Sequence, residues 1–117
     1  MKIGFIGLGN MGSGMANNIL EKIDDKSNLF VYTRTPEKIA KMADKGAIGC
    51  SSLEEITTSV DVLLTCLPNV ETSRELFMSS GGICDLANSN QILVDHSTVD
   101  VKTSQDCFEY ASKKGIN

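Results

Sequence analysis

The sequence contains no tryptophan, and only four phenylalanines and two tyrosines among its 117 residues. So few rings argue against a surface that holds nucleic acid by stacking bases on aromatic side chains. Basic residues are also short, with 11 Lys and Arg against 15 Asp and Glu and a net charge of −4. A nucleic-acid footprint needs a clustered basic face, so no nucleic-acid partner is expected. There is one histidine, His96, and none of the four cysteines (Cys50, Cys66, Cys84, Cys107) pairs with another at CxxC spacing. No metal site is expected from such a ligand set. Cysteines dispersed through apolar stretches read as small buried hydrophobes. They fit a reducing cytoplasm, although their even number leaves disulfides open. No run reaches the ~18 apolar residues of a membrane span, and no Asn-x-Ser/Thr sequon occurs. The apolar start at residues 3–8 is broken by glycine and is too short for a secretory h-region. The expectation is a cytoplasmic protein with no membrane association.

What is present points to a packed domain. Hydrophobic residues make up 41% and charged residues 22%, both ordinary for a globular chain. Surface scaling allows about two thirds of the extended chain's area to be buried at this mass, enough for a real core. No linker or internal repeat divides residues 1–117, so one domain is expected.

Apolar runs alternate with helical patterns along the chain. Strands are expected at 2–6, 28–32, 47–50, 60–66 and 91–95, and helices at 10–22, 36–45, 52–59, 70–78 and about 100–114. Met11, Met15, Ile19 and Ile23, four apart, with Ala16 and Leu20 alongside, read as one apolar face of the first helix, and Met11 and Met15 as core residues. Thr35 and Pro36 read as N-cap and first position of the second helix, with Gly46 as its stop. Gly81-Gly82 should break the chain, and Gly115–Asn117 reads as the start of another strand. The strands are close to continuously apolar (FVY, VLLTCL, ILV), which predicts burial on both faces. That is the signature of a parallel sheet covered by helices. The alternating order makes the expected fold a doubly wound α/β domain.

Five of the ten glycines fall in the first 14 residues. Gly7-Leu8-Gly9-Asn10-Met11-Gly12 is a GxGxxG segment between an expected strand and helix. In that context Gly7 permits the tight turn, Gly9 lets a pyrophosphate approach bare backbone, and Gly12 lets helix and strand pack closely. The helix N-terminus then offers free N–H groups to the phosphates. A turn that merely packs with glycine, or a methyltransferase-type glycine loop, would look alike at this level. The end of the second strand bears on which dinucleotide is bound. A ribose 2′-OH calls for an acid about 20 residues past the glycines, but the strand runs out as Val31-Tyr32-Thr33-Arg34-Thr35. Asp24 and Asp25 lie at its wrong end. Arg34, with the Thr33 and Thr35 hydroxyls, suits a 2′-phosphate, so NADP is expected ahead of NAD.

These residues resemble the 3-hydroxyisobutyrate dehydrogenase (β-hydroxyacid dehydrogenase) family, of which 6-phosphogluconate dehydrogenase is a relative. The likeness rests on Gly4 to Gly12 followed by Met15-Ala16, on Tyr32-Thr33-Arg34-Thr35, on Cys66-Leu67-Pro68, and on Asp95-His96-Ser97-Thr98, which is similar to the family's Asp-x-Ser-Thr segment. It implies a Rossmann-type doubly wound sheet with helices on both faces. It further implies an oxidoreductase acting on a small 3-hydroxy acid or its aldehyde or keto counterpart, and a homo-oligomeric parent. By the same resemblance Gly9, Asn10 and Met11 would cradle the pyrophosphate, and Thr33, Arg34 and Thr35 would hold the adenosine phosphate. Leu67 and Pro68 would line the groove, and Thr72 would sit near the adenine. Thr98 would lie by the nicotinamide, and Ser97 would hold a substrate carboxylate or hydroxyl. Two departures stand out. Thr33 replaces the family's Asn or Asp, and no residue matches the family's catalytic lysine, which lies downstream in a separate helical domain. Residues 1–117 therefore read as a truncated dinucleotide-binding domain that does not turn over alone. A 6-phosphogluconate dehydrogenase or imine reductase relative is the alternative within enzymes, and a non-catalytic dinucleotide-sensing module the alternative outside them.

Asp95-His96-Ser97 holds the residue types of a hydrolytic triad, but neighbours on an extended chain point to opposite sides and cannot form the relay. His96 reads as a loop residue near a strand end. Ser97 and Thr98 could equally cap the last helix.

Overall fold

A computed structural model describes all 117 residues. Five strands form one sheet: β1 (Ile3–Ile6), β2 (Leu29–Tyr32), β3 (Ile48–Gly49), β4 (Val62–Thr65) and β5 (Ile92–Asp95). All neighbouring pairs are parallel and the order is β3-β2-β1-β4-β5. Between them run α1 (Asn10–Lys22), α2 (Pro36–Ala43), α3 (Leu53–Ser59), α4 (Val70–Met78), α5 (Ile83–Leu86) and α6 (Val101–Lys113). The expected Rossmann-type architecture is thus the one observed.

Alternation along the strands builds two cores. Phe5, Leu29 and Val31 point to one face, where they pack with Ala16 and Leu20 of α1 and Met42 of α2. Ile6 and Leu63 point to the other, where they meet Ile56 of α3, Phe77 of α4, and Ile83 and Cys84 of α5. Side chains of period two cannot serve one face alone when every strand is apolar throughout, so helices cover both.

Local chemistry sets the helix starts. Ser52 Oγ accepts from Glu55 N at 3.1 Å, while Glu55 Oε2 accepts from Ser51 N at 2.6 Å. This reciprocal pairing satisfies otherwise orphaned donors at the start of α3. Asn69 and Asp100 cap α4 and α6 through Thr72 N and Thr103 N.

Several expectations are corrected. Met11 is 74% exposed, while α1 buries the expected Ala16 and Leu20 together with Gly12, and Met15 and Ile19 pack partly buried against the same core. The helix approaches the sheet on its smallest residues, which turns Met11 outward. β5 is less buried than expected: Ile92 is 48% exposed, and Leu93 and Val94 are only half-buried. β3 is two residues long, and a 3-10 turn at Lys26–Asn28 precedes β2. A four-residue helical segment directly after Gly82, α5, is absent from the expected elements. Gly115–Asn117 belongs to no element, but Leu93 N donates to Asn117 O at 2.7 Å, so the chain runs back along the β5 edge.

Five carboxylates are held below their ordinary values. Asp25 is held there by the Ser27 hydroxyl and amide, Glu55 by the Ser51 amide and hydroxyl, and Asp85 by Lys114 and Gly81 N. Asp100 is held there by Thr103 and Asp106 by Arg74. A lowered folded value means stability that is present above the unfolded carboxylate range and lost as pH falls through the folded values. Thermal melts should therefore be level from pH 7 to about pH 5 and fall increasingly below about pH 4. A melting temperature unchanged down to pH 3 would contradict these assignments.

Candidate functional site

The strand order reverses at β1: the chain goes outward to β2 and β3, then crosses back to β4 and β5. Loops leaving β1 and β4 therefore diverge, and the crevice between them lies at the strands' carboxyl ends. A cleft of about 650 Å³ occupies this place.

Its floor is the glycine turn. Gly7 has φ +97°, and its N–H donates to Tyr32 O at 3.0 Å. A Cβ on Gly7 would lie 2.1 Å from Cys66 O, and one on Gly12 would lie 1.8 Å from Gly7 O. Turn and helix are thus in backbone-to-backbone contact. Gly9 differs, since a Cβ there would meet nothing within 4 Å. Its bare Cα faces open cleft. α1 starts at Gly9 with no side-chain cap and no acid in its first turn. The N–H groups of its first turn, at Asn10, Met11 and Gly12, are therefore left for a ligand anion.

At the β2 end Thr33 and Arg34 line the cleft, and so does Lys38. Sequence reasoning missed Lys38. Its signal was spacing: it lies four residues after Arg34, in the first turn of a helix opened by Thr35-Pro36. Thr35 occupies the N-cap position of α2, but its hydroxyl makes no cap bond, and it lies outside the lining. Asp25 is occupied at the opposite strand end, accepting from Ser27 N at 2.9 Å.

Apolar walls come from Ile6, Leu53, Leu67, Pro68 and Leu76, with Thr72 at the first turn of α4. At the β5 end His96 and Thr98 line the cleft, whereas Ser97 does not. Ser97 is part of a latch. Its Oγ donates to Asp95 Oδ1 at 2.6 Å and accepts from Leu67 N at 2.7 Å. Asp95 Oδ1 also takes Ser97 N at 3.0 Å and the Oγ1 of Thr65, which is 1% exposed, at 2.7 Å. His96 N adds a bond to Thr65 O at 2.8 Å. The segment read as a substrate contact therefore ties the exits of β4 and β5 together and fixes the Leu67 wall.

The charge balance of the cleft is one-sided. Arg34, Lys38 and His96 line it, and no carboxylate does, in a chain whose acids outnumber its bases. Lys113 and Lys114 are on α6, and Lys114 pairs with Asp85. No three His, Cys, Asp or Glu side chains gather as a metal site. The cysteines are free, and burial pushes the thiols of Cys50 and Cys84 up to about 11.

The family model described as the NAD binding domain of 6-phosphogluconate dehydrogenase matches residues 2–117. An uncharacterized oxidoreductase of Bacillus subtilis (strain 168) is 34% identical over 114 residues, covering 97% of this chain and 38% of the relative. A probable mitochondrial 3-hydroxyisobutyrate dehydrogenase of Dictyostelium discoideum is 32% identical over 111 residues, covering 95% of this chain and 34% of the relative. The solved imine reductase of Myxococcus stipitatus in complex with NADP+ shares the fold with TM-score 0.88 at 20% identity, over 100% of this chain and 39% of that one. The chain thus spans little more than a third of these proteins.

Proposed function

The chain belongs to the family of the 6-phosphogluconate dehydrogenase NAD binding domain, and on that premise we propose that it serves an NADP(H)-dependent oxidoreductase acting on a small 3-hydroxy acid or its aldehyde or keto counterpart. The observation that carries this reading is the cleft itself: bare glycine backbone and a helix N-terminus in the middle, two cations at the β2 end, an imidazole at the β5 end, and no acid.

The residues fit a dinucleotide. Gly9 leaves the space a pyrophosphate needs, and the N–H groups of Asn10, Met11 and Gly12 match its charge. Arg34 and Lys38 at the β2 end suit a 2′-phosphate, and no acid stands there to accept from a free ribose 2′-OH. That pair supports NADP over NAD, with Thr33 beside it and Thr35 one step outward. Leu67 and Pro68 would flank the nucleotide, Thr72 would meet the adenine, and Thr98 the nicotinamide ribose. Ser97 would reach substrate only through the remaining acceptor capacity of a hydroxyl already shared by Asp95 and Leu67. The bound cofactor supplies or takes up the hydride, and this chain binds and orients it.

We read residues 1–117 as the cofactor half of a homo-oligomeric parent. The proton-transferring group would come from outside these residues, because none of Lys102, Lys113 and Lys114 lines the cleft. Free cysteines favour a reducing compartment such as the cytoplasm. No helix is long and apolar enough to cross a membrane. Imine reduction rests on fold likeness alone.

Thermal shift separates binding from folding. NADPH at 100 times its Kd should add about 2.7 kcal/mol. Gly9→Ala should melt within about 3 °C of the unmutated chain without ligand, since its Cβ meets nothing. It should lose most of the NADPH shift, because the methyl occupies the cradle. An undiminished shift in Gly9→Ala would contradict this placement.

A further inference from the structure

We propose that His96 is the anion contact at the reacting end of the cleft and that it selects substrates carrying a carboxylate or another small oxyanion. The inference rests on the functional reading above and adds the residue of this chain that meets the acid's carboxylate.

Three observations carry it. The first is position. Arg34 and Lys38 stand at the end of β2 and His96 at the end of β5, with β1 and β4 between them. Three strand spacings put these ends about 14 Å apart, so His96 serves a different group from the one Arg34 holds. The glycine turn lies over β1, two strands away, and answers the pyrophosphate without it.

The second is fixation. His96 N is bonded to Thr65 O at 2.8 Å, and both of its chain neighbours belong to the latch through Asp95 Oδ1 and Ser97 Oγ. The backbone under the ring is pinned while the side chain is exposed to the cleft. The third is availability. The nearest carboxylate in sequence, Asp95, is engaged by Thr65 and Ser97, and no ion pair involves His96. An imidazole carried on a pinned backbone two residues before Thr98, with no internal acceptor and no acid in the lining, is a ready donor for a ligand oxyanion.

His96 is the only histidine in the chain, so its Cε1–H proton gives a single resolved imidazole resonance. The chain is saturated with NADP+, then titrated with 3-hydroxypropanoate and, separately, with its uncharged methyl ester. The acid should move the His96 resonance and the Thr98 amide, and the ester should move neither. His96→Gln should weaken acid binding about tenfold or more, the scale of a lost charge-assisted hydrogen bond, and weaken NADP+ binding by less than it weakens acid binding. His96→Lys should keep the preference for the acid. Equal responses to acid and ester, no response to the acid in NADP+-saturated protein, or unaltered acid binding in His96→Gln would each overturn the inference with the cofactor reading intact. Amides of Gly9 to Gly12 that ignore NADP+ would overturn the cofactor reading, and this inference with it.

Discussion

Gly12→Ala should destabilise the chain by about 3 kcal/mol or more, lowering its melting temperature by roughly 15 °C. Ordinary overpacking is relieved by side chains that shift. Here the added Cβ would lie 1.8 Å from Gly7 O, a backbone atom. Gly7 cannot retreat, because its N–H is bonded to Tyr32 O and its own Cα abuts Cys66 O. Relief would require separating α1 from β1, whose faces share the core of Phe5, Ala16 and Leu20. Gly14→Ala supplies the control. It lies in the same helix with nothing within 4 Å, and should be stabilising by up to about 1 kcal/mol on helix propensity. Thermal denaturation of both variants checks the contrast, and a Gly12→Ala variant as stable as Gly14→Ala would refute the close approach.

Replacing Arg34 and Lys38 together by alanine should weaken NADPH binding about a hundredfold while NADH affinity changes less than about threefold. Both side chains line one end of the cleft, and no carboxylate there offsets their charge. A 2′-phosphate loses two charge-assisted partners, whereas a ribose hydroxyl loses none of comparable strength. Arg34→Ala alone should give an intermediate loss, since Lys38 still supplies a point charge. Titration calorimetry with both nucleotides tests this. Equal losses for NADPH and NADH would mean that the pair does not read the 2′-phosphate.

The fold was legible because the strands are close to continuously apolar while the helices repeat at three to four. That contrast requires a parallel sheet covered on both faces, and the glycine segment marks where its cleft must open. Met11 misled because it continues an apolar stripe of α1 whose other members, Met15, Ala16, Ile19 and Leu20, do pack against the core. Close packing on Gly12 and Ala16 is a matter of volume, which a hydrophobic pattern does not weigh. α5 escaped notice because four residues are too few to display a period. β5 reads as a central strand by composition, and only the sheet order makes it an edge. At the site, Arg34 was legible as a cation at the end of the second strand, and it does line the cleft. Lys38 was hidden inside an ordinary surface helix, and its role depends on where α2 starts. Ser97 was read as a ligand contact, but its bonds to Asp95 and Leu67 depend on two strands 30 residues apart meeting side by side.

The central claim is that the cleft at the carboxyl ends of β1, β2, β4 and β5 holds a nicotinamide dinucleotide along a defined line. The most direct measurement is amide chemical-shift mapping of the uniformly labelled chain during titration with NADP+. Perturbations should concentrate at Gly9, Asn10, Met11 and Gly12 in the middle, at Thr33 to Lys38 on one end, and at Leu67 and Thr98 on the other, while α5 and the C-terminal half of α6 stay unmoved. Saturable binding whose shifts fall elsewhere, or no shift at the glycine turn at millimolar NADP+, would contradict it.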